Sequence, residues 1–100
     1  MSKTIVNPAQ ELGQLITQVR VNLLNHDVVK AIVSFKFADA LFLTGMKVIH
    51  GKNGRFVSMP ANKDAQGEYH DIFFPSSKEV RDQLQQLVLD EYDKALSSAR

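Results

Sequence analysis

The chain has no cysteine in its 100 residues, which excludes disulfide staples and thiolate zinc sites. A chain without thiols suits a reducing cytoplasm, and that is its expected location. No stretch approaches the roughly 20 consecutive apolar residues that a membrane-spanning helix needs. Residues 1–15 also lack the basic start and apolar run of a secretory leader. Neither membrane spanning nor secretion is expected.

Catalytic signatures are missing too. The segment GKNGR is not a phosphate-binding Walker loop, which places Lys-Ser/Thr at the entry to a helix, whereas here a strand pattern follows. No nucleophile-elbow pattern is present. His26-Asp27 and His70-Asp71 are adjacent pairs, and on a strand adjacent side chains point to opposite faces, so neither pair can act together there. His50 and His70 could meet across strands, but two histidines without a third clustered ligand do not make a metal site. The expectation is a protein without catalysis, metal, cofactor or small-molecule substrate.

What the chain does have is enough apolar residues, 44 %, for one small domain. A domain of this size buries roughly 60–65 % of the surface its unfolded chain exposes. The core is therefore thin, and sharing it with a second copy would help. Net charge is only +1, but it is unevenly spread. From Ile16 to Lys63 there are seven basic residues (Arg20, Lys30, Lys36, Lys47, Lys52, Arg55, Lys63) and two acidic ones (Asp27, Asp39). From Asp64 onward there are four basic and eight acidic residues. Such a chain can present a positive face while staying nearly neutral; the competing reading is that the charges only solvate its surface.

The hydropathy pattern reads as strands, then a helix. Val19, Val21 and Leu23 alternate with Gln18, Arg20 and Asn22, the two-residue period of a half-buried strand. Turn formers Asn25–Asp27 follow. Val29, Ala31, Val33, Phe35 and Phe37 then face inward, with Lys30, Ser34 and Lys36 outward and Ile32 the exception. After a second short turn at Asp39, ALFLTGMKVIH reads as a longer strand, apolar on both faces for part of its length. Asn53-Gly54 is the dipeptide preferred in two-residue hairpin turns, which places Lys52 and Arg55 opposite each other. RFVSMP returns and ends at Pro60, ANKDAQG is a polar connection, and EYHDIFF is a last strand closed by Pro75.

Beyond Pro75 the period becomes helical. Ser76 reads as N-cap with Glu79 three residues on, a capping box, and Val80, Leu84, Leu87, Val88, Glu91 and Ala95 recur at helical spacing. A helix over 76–97 is expected. NPAQELGQL suggests a short helix in a 1–15 extension, with Asn7 as cap and Pro8 in its first turn, although Gly13 weakens it. The expected fold class is α+β: an antiparallel meander of four to five strands over 16–75, then a C-terminal amphipathic helix, in a domain spanning 16–100. One helix covers one sheet face only in part, so symmetric pairing into a homodimer is expected.

The candidate binding residues are Lys52, Arg55 and Lys63, cations on or beside loops where long side chains reach phosphates. Asn62 and Gln66 add hydrogen-bonding groups for bases or sugars. Lys78 and Arg81 sit in the first turns of the helix, where backbone N–H groups also favour an anion. Two readings remain open on these residues alone: a nucleic-acid surface, or solubilised turns with Arg81 paired to a neighbouring carboxylate. Phe35, Phe37, Phe42, Phe56, Tyr69, Phe73 and Phe74 read as packing residues rather than a stacking platform, and the basic-aromatic motif of RNA-recognition sheets is absent.

The segment KVIHGKNGRFVSMPANKDAQGEYHDIFFP resembles the signature of the SpoVG family (septation protein, stage V sporulation protein G). The matching positions are Val48, Ile49, Gly51, Gly54, Phe56, Val57, Met59, Pro60, Gly67, Glu68, Tyr69, Asp71, Ile72 and Pro75. ITQVRV, KAIVSF and VLDEY extend the likeness over about Ile16–Leu96. The resemblance implies a small dimeric DNA- and RNA-binding regulator linked to division-septum formation and sporulation, with an antiparallel sheet and a C-terminal helical part that helps join protomers and contact nucleic acid; it also favours the basic loops as contacts. Two departures stand out. Family members often carry two consecutive basic residues after Met-Pro-Ser, where this chain has Ala61-Asn62-Lys63, and the first fourteen residues have no counterpart in the pattern. The alternative is a protein-interaction module that recruits a division or regulatory partner without binding nucleic acid.

Overall fold

The computed structural model describes residues 8–99. Helix α1 (Pro8–Leu15) leads into four strands, β1 (Ile16–Leu23), β2 (Val29–Phe37), β3 (Leu41–Gly51) and β4 (Gly54–Ser58), which pair antiparallel in that order. Two short strands, β5 (Ala61–Lys63) and β6 (Tyr69–Asp71), form a separate hairpin, and helix α2 (Lys78–Ser98) closes the chain. The fold is α+β: an antiparallel four-stranded meander followed by a C-terminal helix. The meander is not continuous, however. The segment expected to be a plain polar connection contains β5, and the last strand pairs only with it, because Pro60 interrupts the ladder after β4.

Alternation decides which face is inside. Ala31, Val33 and Phe35 of β2 and Met46 and Val48 of β3 are buried, together with Val57 of β4. Helix α2 seals this inner face with Leu84, Val88, Leu89 and Tyr92. Leu12 of α1 joins the same core, and α1 packs beside α2. Burying a side chain such as Met46 or Val88 completely contributes roughly 1.5–3 kcal/mol each. Gln85 on α2 accepts a hydrogen bond from the Val57 N–H at 3.3 Å, which satisfies a donor on the edge strand.

Two turns are built differently from the sequence expectation, and so is the helix start. Gly51 pairs with Gly54, so Lys52 and Asn53 are the central turn residues, and Arg55 stands opposite His50 rather than Lys52. The positive φ falls on Gly54, at 118°, and not on Asn53. The tight turn with two positive φ values lies instead at Ala38 and Asp39, at 53° and 54°. The α2 N-cap is Ser77, not Ser76: its side chain accepts the Val80 N–H at 3.2 Å. Asn7, the expected α1 cap, lies outside the described residues.

Several aromatics expected in the core are on the surface. Phe42, Phe56, Tyr69 and Phe74 are 65 %, 44 %, 70 % and 67 % exposed. A residue opposite a core position on a two-faced sheet is inward or outward by parity alone, and composition does not reveal that parity across a bulge. β3 carries such an irregularity between Leu43 and Met46, and Phe42 lies beyond it.

Candidate functional site

Lys52 sits at the exposed tip of the β3–β4 hairpin. Arg55, three residues on, has turned to the helix side of the sheet. Its guanidinium donates to both carboxylate oxygens of Asp93 on α2, at 2.5 and 2.9 Å. That two-pronged bond pushes the Arg55 guanidinium up from its usual value and holds the Asp93 carboxyl below the usual carboxylate range. Beside it, His50 meets Tyr92 edge to face, with ring centroids 5.9 Å apart. Arg55 thus ties the hairpin to α2, and a phosphate would have to displace Asp93 to reach it.

Asn62, Lys63 and Gln66 all lie on the exposed β5–β6 arm. Lys63 pairs across the strands with Tyr69 and holds its ammonium 5.8 Å from that ring's centre. The loop between the strands is organised by Asp64, whose Oδ1 accepts the N–H groups of Gln66 and Glu68, both at 2.9 Å. Asp64 Oδ2 meets His70 Nε2 at 2.7 Å. The His70 contact, reinforced by the backbone donors, holds the Asp64 carboxyl below its usual range. Asp64, Glu68 and His70 bring three possible metal-ligand atoms within 4.8 Å of one another, yet Asp64 Oδ1 already serves the turn and its Oδ2 is engaged by His70 itself. His50 and His70 do not form a pair, since they sit in different sheets with different partners.

At the start of α2, Lys78 reaches Asp82 at 2.8 Å, and that carboxylate raises the Lys78 ammonium above its usual value. Arg81 lines a shallow cleft with Tyr69, His70, Asp71 and Phe74 of the arm. The structure therefore brings Arg81 to the arm, leaves Lys52 on its own tip, and commits Arg55 to Asp93. On the far side of Phe74, a half-open groove of about 310 Å³ is lined by apolar residues including Leu12, Phe37, Leu43, Phe73 and Val80.

A second cationic surface is one that loop-centred sequence reasoning missed. Both helices lie on the inner face, so no helix among the described residues covers the outer one. Parity and register place Arg20 and Asn22 of β1, Ile32, Ser34 and Lys36 of β2, Phe42, Lys47 and Ile49 of β3, and Phe56 and Ser58 of β4 on that outer face. Three of these side chains are cations, and the four strands carry no acidic residue. Lys36 makes an ion pair at 3.2 Å with Asp39, a fully open turn residue. The clue was in the sequence, since Arg20 and Lys36 already read as outward. What the sequence withheld was that the outward rows of different strands line up into one uncovered surface.

The SpoVG family model matches residues 15–94. A protein of Caldanaerobacter subterraneus subsp. tengcongensis named "Putative septation protein SpoVG" is 43 % identical over 81 residues, covering 80 % of this chain and 89 % of its own. One of the same name from Heliobacterium modesticaldum is 44 % identical over 85 residues, covering 84 % and 96 %. A third, from Clostridium perfringens, is 42 % identical over 80 residues, covering 79 % and 89 %. The family takes its name from septation and not from a reaction. With the family model spanning β1 to α2 and relatives aligned over nearly their full length, this chain belongs to the SpoVG family.

Proposed function

We propose that this protein is a non-enzymatic, nucleic-acid-binding regulator of division-septum formation that works as a homodimer in the cytoplasm. The observation that carries the reading is the segregation of charge. Arg20, Lys36 and Lys47 stand on an uncovered sheet face whose strands have no carboxylate, while the acidic residues are concentrated on α2 and the arm. A surface of one sign on a nearly neutral chain attracts a polyanion. Lys52 at the hairpin tip, Lys63 with Asn62 and Gln66 on the arm, and Arg81 at the helix start are further exposed groups elsewhere on the surface, whereas Lys78 is paired with Asp82 and Arg55 with Asp93.

The dimer is supported by the arm. A two-stranded hairpin is marginal in water by itself, and this one and its exit expose Tyr69, Ile72 and Phe74. A second copy that covers these side chains completes both arms by symmetry. The same exposed arm favours a protein partner as the second reading, in which nucleic acid plays no part.

The deciding experiment titrates the protein on labelled RNA and DNA at two salt concentrations, with sedimentation to fix its mass. If about four to six phosphates are neutralised per dimer, log K falls with log salt at a slope of about −4 to −5. Salt-insensitive or absent binding on all probes, with a nuclease-resistant protein partner, rejects the nucleic-acid reading in favour of the second.

A further inference from the structure

The outer face carries more than charge. Phe42 and Phe56, 65 % and 44 % exposed, stand on it among the cations. Phe42 lies opposite Lys36, whose ammonium is 5.8 Å from the ring centre, and Phe56 lies opposite Ile49. Exposed aromatic rings on a solvent-facing sheet lose hydrophobic stabilisation that burial would supply, so their position calls for a ligand with flat apolar surface. The surrounding Arg20 and Lys47, with Lys36 held only by the open Asp39 carboxylate at 3.2 Å, call for one with negative charge.

We propose that the outer sheet face is a platform for single-stranded nucleic acid, with unpaired bases stacked on Phe42 and Phe56 and phosphates held by Arg20, Lys36 and Lys47. This rests on the nucleic-acid reading above and names its substrate class. A duplex meets the charge requirement but not the aromatic one. Its bases stack on each other and present only edges to the grooves, while an aromatic ring needs an exposed base face. Along β3, Phe42 and the Ile49–Phe56 pair are seven residues apart, roughly 20 Å at strand spacing. That span matches a site of a few nucleotides, the low end for sheet-based single-strand binders. Lys47 lies between the two aromatic positions, where a phosphate of the intervening chain would pass. Ile32, its cross-strand neighbour on β2, supplies apolar surface beneath the same stretch.

The test is fluorescence anisotropy with three probes of equal length, a single-stranded RNA, a single-stranded DNA and the DNA duplex, for the native chain and the Phe42→Ala/Phe56→Ala variant. Both rings are exposed, so the variant keeps its fold, which circular dichroism checks. The expected result is at least a tenfold loss of affinity for the single strands and a change under about twofold on the duplex. Comparison of the two single-stranded probes assigns the preferred sugar. Equal losses on all probes, or none, overturn the platform while leaving the nucleic-acid reading intact. A native chain that binds no probe overturns both. A variant that sediments as a monomer where the native chain is a dimer shows that the face is buried between copies and also overturns it.

Discussion

Arg55 and Asp93, 38 positions apart, meet in a two-pronged ion pair that fastens the β3–β4 hairpin to helix α2. The pair engages with a carboxylate a cation that its place beside a turn had recommended for the proposed binding surface. It also couples the hairpin tip to the helix, because the backbone carrying Lys52 leads directly into Arg55.

Asp93→Asn should free the guanidinium. The expected outcome is a lower melting temperature, since hairpin and helix lose their charged link, with nucleic-acid affinity unchanged or stronger, since one more cation is available. Thermal melting and anisotropy read the two effects separately. A variant with weaker binding would mean that the pair positions the surface rather than competing with it.

The same carboxylate sets part of the acid stability. Asp93 and Asp64 both titrate below the ordinary 3.8 in the folded chain, through Arg55 and through His70 with backbone donors respectively. A depressed folded value means that their contribution is fully present above pH 3.8 and is lost as pH falls below it. Lys78 and Lys94 titrate above the ordinary 10.5, raised by Asp82 and Glu91; their contribution is full below 10.5 and is lost only above it. Melting temperature should therefore show no step from these groups between pH 5 and pH 9, and an acid fall that is shallower in Asp64→Asn and Asp93→Asn.

The helix cap separates two adjacent serines. Ser77→Ala removes the acceptor for the Val80 N–H and should cost about 1 kcal/mol. Ser76→Ala should stay within about 0.5 kcal/mol, as surface substitutions do. Urea unfolding of the two variants distinguishes them.

Gly45 fixes the approach of the arm. Its φ is +91°, and a Cβ there would sit 3.1 Å from the Cβ of Pro60, the residue that breaks the ladder before β5. Gly45→Ala should destabilise by more than about 1 kcal/mol, since alanine is strained at positive φ and Pro60 blocks the space. An unfolding midpoint equal to the native one would contradict this account of the β3 irregularity.

The strands and the long helix were legible because their periods are local. Ala31, Val33 and Phe35 alternate without interruption, and Leu84 and Val88 recur at one helical turn. Ser77 was missed because the capping-box pattern, with Glu79 three residues on, points to Ser76, whereas the backbone geometry makes Ser77 the cap. Phe42 was assigned to the core because Gly45, the one local mark of the irregularity after Leu43, was read as an ordinary strand position, and Ala61–Lys63 was read as loop because three polar or small residues carry no strand signal. The exposed positions of Lys52 and Lys63 beside turns, and of Arg81 at the helix start, were readable from the sequence. The Asp93 partner of Arg55 was not, since a contact across 38 residues depends on how α2 docks. The outer face was hidden for the same reason, as it exists only once the register of four strands is set.

The uncovered sheet face, whose four strands carry no acidic residue, is proposed to attract a polyanion. The decisive measurement is the salt dependence of nucleic-acid binding in the native chain and in Arg20→Glu/Lys47→Glu. The account predicts that the native chain binds with a steep negative salt slope, and that the double variant, still folded, binds at least tenfold more weakly with a shallower slope. A folded variant that matches the native affinity and slope would contradict it.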